Sequence, residues 1–414
     1  MTKLPQVGTS PQEQKHRRGG DAEREHKVLS LNTDGHGFLD AVQSSFSFSF
    51  SFGFGRTSGR DANRFPLKLK LKLETVVILL PMDVFALTRE LVDIESVSGN
   101  EGAMGEFLHR RLRDLGYDAR LDTVEPNRFN VYAVPPGQPR PDVFFSTHMD
   151  TVPPFIPSSE DETRIYGRGA CDAKGIIAAQ IGAAEKLRQH GFAAGMLFVV
   201  GEERNSAGAK FANEHPAGGR FLINGEPTDN RLAKATKGAL RVEFFAEGRM
   251  AHSAYPELGE SAIEKLLDAL ERVRRIPLPS DEELGPATLN IGLIDGGRAP
   301  NVIADRAHAE LMYRVIGPSD ELKRQVFATA EPLVRVEWGL ELPFVRLRTL
   351  DGFPTMIAAF ATDIPSLTNW GETLLLGPGS IHVAHTPDEH IGKADLVAAV
   401  CLYADVARRL MRKS

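Results

Sequence analysis

Four short apolar runs in this chain each end in an acid or a histidine, and that recurrence restricts the fold more than any other feature. The first is Val143-Phe144-Phe145-Ser146-Thr147-His148-Met149-Asp150, a buried-strand composition running into His-x-Asp. Side chains alternate along a strand, so His148 and Asp150 point to the same side. Next, Gly167-Arg168-Gly169-Ala170-Cys171-Asp172-Ala173-Lys174-Gly175 is a glycine-bounded loop that opens an apolar helix from Ile176 to Leu187. Asp172 lies in the turn before that helix, where it also suits an N-cap. The third run, Met196 to Val200, ends in Gly201-Glu202-Glu203. The fourth, Phe221 to Ile223, ends in Asn224-Gly225-Glu226-Pro227-Thr228.

Strands alternating with helices imply an α/β fold with a mainly parallel sheet, in which ligands gather beyond the carboxyl ends of the strands. Every acid named above falls at that edge. Carboxylates gathered there repel one another and raise each other's pKa unless cations neutralise them, so the arrangement reads as a metal site. A fifth segment, Gly377 to Glu389, adds His382 and His385 from the far end of the chain. Only Cys171 and Cys401 are present, which excludes a disulfide framework and a thiolate zinc finger and fits a reducing, cytoplasmic compartment. Oxygen and imidazole donors without sulfur suit zinc, manganese or cobalt. Each signal is weak alone, since His-x-Asp and paired Glu both arise by chance. Their joint occurrence in this order is what carries the expectation.

Bulk properties narrow the class. The 414 residues carry a formal net charge of −6, which excludes a basic nucleic-acid binder. With 42% hydrophobic and 25% charged residues, the chain can bury a substantial core in two or so domains. Residues 1–81 differ from the rest, with a Ser/Phe alternation from Ser45 to Phe54 and a Leu/Lys alternation from Leu67 to Leu73. They are expected to be a disordered extension or an upstream misreading of the start codon. No export signal or membrane span is found, because the apolar run Thr75 to Leu80 is late and short. Regular sequence begins at Met82, where Val84, Leu87 and Leu91 set a helical spacing that Met104, Leu108 and Leu115 resume.

Between residues 234 and 342 the pattern changes. Strands around Ala239–Phe245, Thr288–Leu293, His308–Tyr313 and Val334–Trp338, with helices around Ile263–Val273 and Leu322–Ala330, give a β-α-β-β-α-β series of ferredoxin-like order. If His385 is a ligand, the chain returns to the first domain after this insert. The metal-binding domain is then discontinuous, over 82–233 and 343–414.

At this point the sequence resembles the zinc aminoacylase family, which includes acetylornithine deacetylase, succinyl-diaminopimelate desuccinylase and the glutamate carboxypeptidases. The matching stretches are Ser146 to Pro153, Gly167 to Ala170 with Asp172 and Lys174-Gly175, Glu202-Glu203, Gly225 to Thr228, and His385 within Ala-His-Thr-Pro-Asp-Glu. The resemblance implies two divalent ions, zinc first, with cobalt or manganese as alternatives. Asp172 would bridge them, His148 and Glu226 would complete one shell, and Glu203 and His385 the other. Asp150 would orient His148, and Glu202 would be the general base. Two such ions lower the pKa of a water and polarise an amide carbonyl, and a neighbouring carboxylate that is not a ligand can move the proton.

The same resemblance implies that the insert is a lid and dimerisation domain and that the protein is a homodimer. His252 in Arg249-Met250-Ala251-His252-Ser253-Ala254 would help hold the developing oxyanion, often in the partner's site. Asn301 and Arg314 would bind the substrate carboxylate, which suits the planar fork of arginine. Gly379, in a Gly-Pro-Gly turn, would let backbone N–H groups approach the substrate. Gly201 and Ala173 depart from the family pattern at positions that are not ligands. His382 and His390 are expected to be structural or to support the ligands from behind, and Cys171 a small buried residue. The expected activity is hydrolysis of the amide bond of an N-acyl amino acid or a small peptide, acetylornithine deacetylase-like. The alternatives are a dipeptidase or aminoacylase of the same fold, or a non-catalytic binding protein, which would have no need of Glu202.

Overall fold

The computed structural model describes residues 82–412. The expectations for residues 1–81 therefore lie outside the described residues.

The central element is strand β3 (Val143–His148), buried along its whole length. To one side of it lies β4 (Ala194–Val199) and to the other β5 (Phe221–Asn224), both parallel to it, and β10 (Glu372–Leu375) extends the parallel set beyond β5. An antiparallel hairpin, β1 (Asp118–Glu125) and β2 (Arg128–Val134), completes the six-stranded sheet on the β4 side. The sheet is therefore mixed, parallel through its centre and antiparallel at one edge. The hairpin was not anticipated. Its turn is made by Asn127, whose φ of 59° is a left-handed conformation that Asn tolerates.

Alternation along β3 sends successive phenylalanines into two cores. Phe145 meets Tyr403 edge-on at 5.4 Å, within the core that contains α1 (Val84–Val92), α3 (Lys174–Gln189) and α7 (Lys393–Arg412). On the other face, Phe144 meets Trp370 edge-on at 5.2 Å, beside Ala209 and Ala212 of α4 (Ala207–Glu214). Helix α1 starts where the Asp83 side chain accepts the N–H groups of Phe85 and Ala86, and it buries Val84, Leu87 and Leu91, the spacing expected from sequence. Helix α2 (Gly102–Asp114) follows, burying Met104, Leu108 and Leu112. Helix α3 is buried nearly all round, and a Cβ at its Gly182 would lie 3.0 Å from Val84 and 3.1 Å from Val400. The absence of a side chain there is what lets three helices pack together under the sheet.

The insert has a separate core. Strands β6 (Gly238–Glu247), β7 (Thr288–Gly296), β8 (Arg306–Val315) and β9 (Arg335–Leu342) form an antiparallel sheet in the order β7-β8-β6-β9. That is the order of a ferredoxin-like unit. Leu240, Val242 and Phe244 of β6 and Ala309, Leu311 and Tyr313 of β8 face helices α5 (Ala262–Arg274) and α6 (Asp320–Ala330). Among the described residues, no helix is long and apolar enough to cross a membrane.

Trp370 anchors the returning segment: it is 1% exposed, and its Nε1 donates to the Ala212 carbonyl at 2.9 Å. Replacing it with alanine removes that packing and that hydrogen bond, although the Ala212 carbonyl keeps the His215 N–H at 3.0 Å. We expect Trp370→Ala to cost about 3–5 kcal/mol in chemical denaturation. A loss below about 1 kcal/mol would contradict this packing.

Candidate metal centre

The strand register lines up the chemistry. Ser146 of β3 is opposite Asn224 of β5, and His148 is opposite Val199 of β4. Beyond the last paired residues the chains stay latched. The Gly225 N–H donates to Ser146 O at 2.7 Å, Thr147 Oγ1 donates to Gly225 O at 2.8 Å, and the Met149 N–H donates to Val199 O at 2.9 Å. These bonds hold the His148, Glu202 and Glu226 segments at one sheet edge.

His148 is fixed at both ring nitrogens. Nδ1 lies 3.0 Å from the Asp150 carbonyl, an acceptor only, so Nδ1 carries a hydrogen and the ring is oriented with Nε2 toward Asp172. Nε2 lies 3.0 Å from Asp172 Oδ1. The Asp150 carboxylate stands 3.5 Å from Nδ1, farther than its own carbonyl. Its oxygens instead accept the Glu202 N–H at 3.0 Å, the Glu203 N–H at 3.2 Å and the Ser98 hydroxyl at 2.6 Å. Asp150 thus holds the paired-glutamate turn as well as the histidine. The turn itself depends on Gly201 at φ +78°, where an added Cβ would lie 2.7 Å from the Arg128 guanidinium.

Asp172 makes no capping bond to α3, whose N-cap is Ala173, so its carboxylate is available to the cluster. His385 Nε2 lies 3.4 Å from Asp172 Oδ2 and 2.9 Å from Glu203 Oε1. Two ligand groups result: His148, Asp172 and Glu226, and Asp172, Glu203 and His385. In each, the ligand atoms lie within 4.8 Å of one another. Asp172 belongs to both, with one oxygen toward each histidine.

The electrostatics of this donor set fit cations. Burial, reinforced by the neighbouring carboxylates, pushes Glu202 and Glu226 well above the ordinary glutamate range and raises Glu203. Burial also disfavours ionised Asp172, but hydrogen bonds from His148 and His385 hold it below its ordinary value. His385 is raised to about 10 by its hydrogen bonds to Asp172 and Glu203. A set of acids that exceeds its positive partners, all oxygen and imidazole, is what a pair of borderline divalent ions neutralises.

The remaining sequence candidates separate. Arg314 of β8 is half-buried, and burial lowers its guanidinium while the facing charge of Glu202 opposes that effect. His252 and Asn301 neighbour each other on exposed segments of the insert, joined by a bond from the Ser253 N–H to Asn301 O at 3.0 Å. Among the described residues, no hydrogen bond or ion pair joins either to the five ligand candidates. Gly379 is buried at φ +80°, and a Cβ there would lie 2.6 Å from Cys171 Sγ, so it serves close packing against the Asp172 loop. Cys171 is buried, and burial drives its thiol pKa up, away from nucleophilic chemistry. His382 and His390 stand outside both ligand groups.

Two further residues were not singled out from sequence. Glu389 lies within the quoted His385 motif, but nothing there marks it. Asp363 is buried, and burial pushes it up to about 7 against the opposing effect of the Ser206 hydroxyl. No motif surrounds it.

The chain matches the model of peptidase family M20/M25/M40 over residues 144–409. A probable carboxypeptidase of Talaromyces marneffei is 37% identical over 379 residues, spanning 77% of this chain and 84% of that protein. Among solved structures, a tripeptidase from Staphylococcus aureus has a TM-score of 0.66 at 24% identity, covering 78% of this chain and 98% of its own. A dinuclear metal-binding M20 peptidase of Bacillus subtilis has a TM-score of 0.58 at 17% identity, covering 82% and 99%. With both ligand groups inside the matched span, the chain belongs to peptidase family M20/M25/M40.

Proposed function

We propose that this protein uses two divalent ions to hydrolyse the amide bond of a small substrate bearing a free carboxylate. That class includes N-acyl amino acids such as acetylornithine and short peptides cut at their carboxyl end. The observation that carries the proposal is the position of Glu202. It is next to Glu203, held through its backbone N–H by Asp150, outside both ligand groups, and its charge acts on the Arg314 guanidinium.

When bound, two divalent ions supply a water of lowered pKa and a polarised amide carbonyl. Glu202 then takes the proton from the attacking water and delivers it to the departing amine nitrogen. Arg314 pairs with the substrate carboxylate through its planar fork and sets which amide faces the base. The segments of His252 and Asn301, exposed in one protomer, suit a substrate-binding or partner-facing role, with the insert as lid and dimerisation unit. Zinc is the first choice of metal, with cobalt and manganese as alternatives.

Two tests follow the assigned roles. Glu202→Ala should lower kcat by roughly 10²- to 10⁴-fold while metal analysis shows the parent's content. A chelator should abolish parental activity, and readdition of each metal should rank them. Parental rates in the variant would remove Glu202 from the chemistry.

The substrate class is tested by a panel of N-acetyl amino acids, N-succinyl amino acids, dipeptides and the same compounds with amidated carboxyl ends. Free carboxylates should be preferred. Arg314→Met should cost about 1.5–3 kcal/mol in kcat/KM, roughly a 10- to 150-fold loss, for free-carboxylate substrates only. Equal turnover of amidated substrates by the parent would contradict the assignment.

A further inference from the structure

Glu389 follows His385 by four residues and is 1% exposed. Its Oε1 accepts three backbone N–H groups of the loop that carries Asp172: Gly169 at 2.9 Å, Cys171 at 3.2 Å and Asp172 itself at 3.1 Å. Its other oxygen meets Arg168 Nη1 at 2.5 Å, and its carbonyl accepts the Gly167 N–H at 3.0 Å. Every polar atom of Glu389 that can reach the loop is used to hold it. Successive N–H groups converging on one carboxylate form a small anion-binding cradle.

The two ligand groups depend on this contact unequally. Asp172 sits in the loop that Glu389 grips, and His385 sits on the segment from which Glu389 extends, at φ +63° and outside any helix or strand. The ion held by Asp172, Glu203 and His385 therefore takes two of its three ligands from parts that Glu389 joins. For the ion held by His148, Asp172 and Glu226, only Asp172 is affected, because His148 ends β3 and Glu226 follows the latched end of β5.

We propose that Glu389 is a positioning residue that sets the Asp172–His385 spacing and thereby the affinity of the ion shared by Asp172, Glu203 and His385. This inference rests on the two-ion reading above. Its consequence is one-sided: losing Glu389 loosens one ion much more than the other.

The test uses the full-length chain stripped of metal and titrated with cobalt(II), followed by calorimetry and by the visible absorption of bound cobalt. The parent should show two binding steps. In Glu389→Ala one step should weaken about 10- to 100-fold, the usual effect of removing a residue that supports a ligand. The other step should change far less, and the absorption of the weakened site should shift. Glu389→Gln keeps an accepting oxygen for the three N–H groups and gives up the charge facing Arg168. It should show the same one-sided loss at smaller size, and it carries the test if the alanine variant does not fold. Both steps unchanged, or both weakened alike, would overturn the proposal. A parent that binds fewer than two ions would overturn the two-ion reading and this inference with it.

Discussion

The mutual repulsion of carboxylates around Asp172 is the constraint to which the rest of the structure answers. Asp150, Asp172, Glu202, Glu203 and Glu226 meet at one sheet edge, where His148 and His385 are the imidazoles within 4 Å of their oxygens among the described residues. Burial and like charge raise the three glutamates, so folding alone does not make this arrangement favourable. A pair of cations changes the sign of the problem: charge that costs stability in their absence becomes affinity in their presence. Asp172, common to both candidate groups, is where such a pair would meet.

Holding such a cluster requires rigid backbone, and the fold supplies it by burying strand β3 on both faces. Phe144 and Phe145 enter separate cores, so neither face of the strand is free to move. The ligands nonetheless have two kinds of support. His148 and Glu226 belong to latched strand ends, whereas Asp172 and His385 belong to irregular segments. Buried side-chain carboxylates take over where regular hydrogen bonding stops: Asp150 grips the amides of Glu202 and Glu203, and Glu389 grips the amides of the Asp172 loop. Each acid does for a loop what a neighbouring strand does for β3.

Much of this was legible in the sequence because it is local. The run Val143 to His148 announces a buried strand by composition, and the ferredoxin-like order of the insert follows from the succession of its periodic segments. Period-two geometry also put Asp150 on the side of His148. It could not say that the carbonyl of Asp150, not its carboxylate, stands closer to Nδ1, nor that the carboxylate binds two amides beyond the end of β4. Asp172 was ambiguous between helix cap and ligand, and the absence of a capping bond removes the cap reading. The β1–β2 hairpin escaped because β1 is an edge strand with weak burial contrast. Glu389 escaped because its partners lie more than 200 positions away in sequence, and such a contact has no periodic trace.

The central claim is that one carboxylate is shared by two ions. Anomalous diffraction from crystals of the zinc-loaded protein, collected on both sides of the zinc absorption edge, tests it most directly. The account predicts two peaks roughly 3.5–4 Å apart, one beside His148 and Glu226, the other beside Glu203 and His385, with Asp172 between them. A single peak, or two peaks that do not share Asp172, would contradict it.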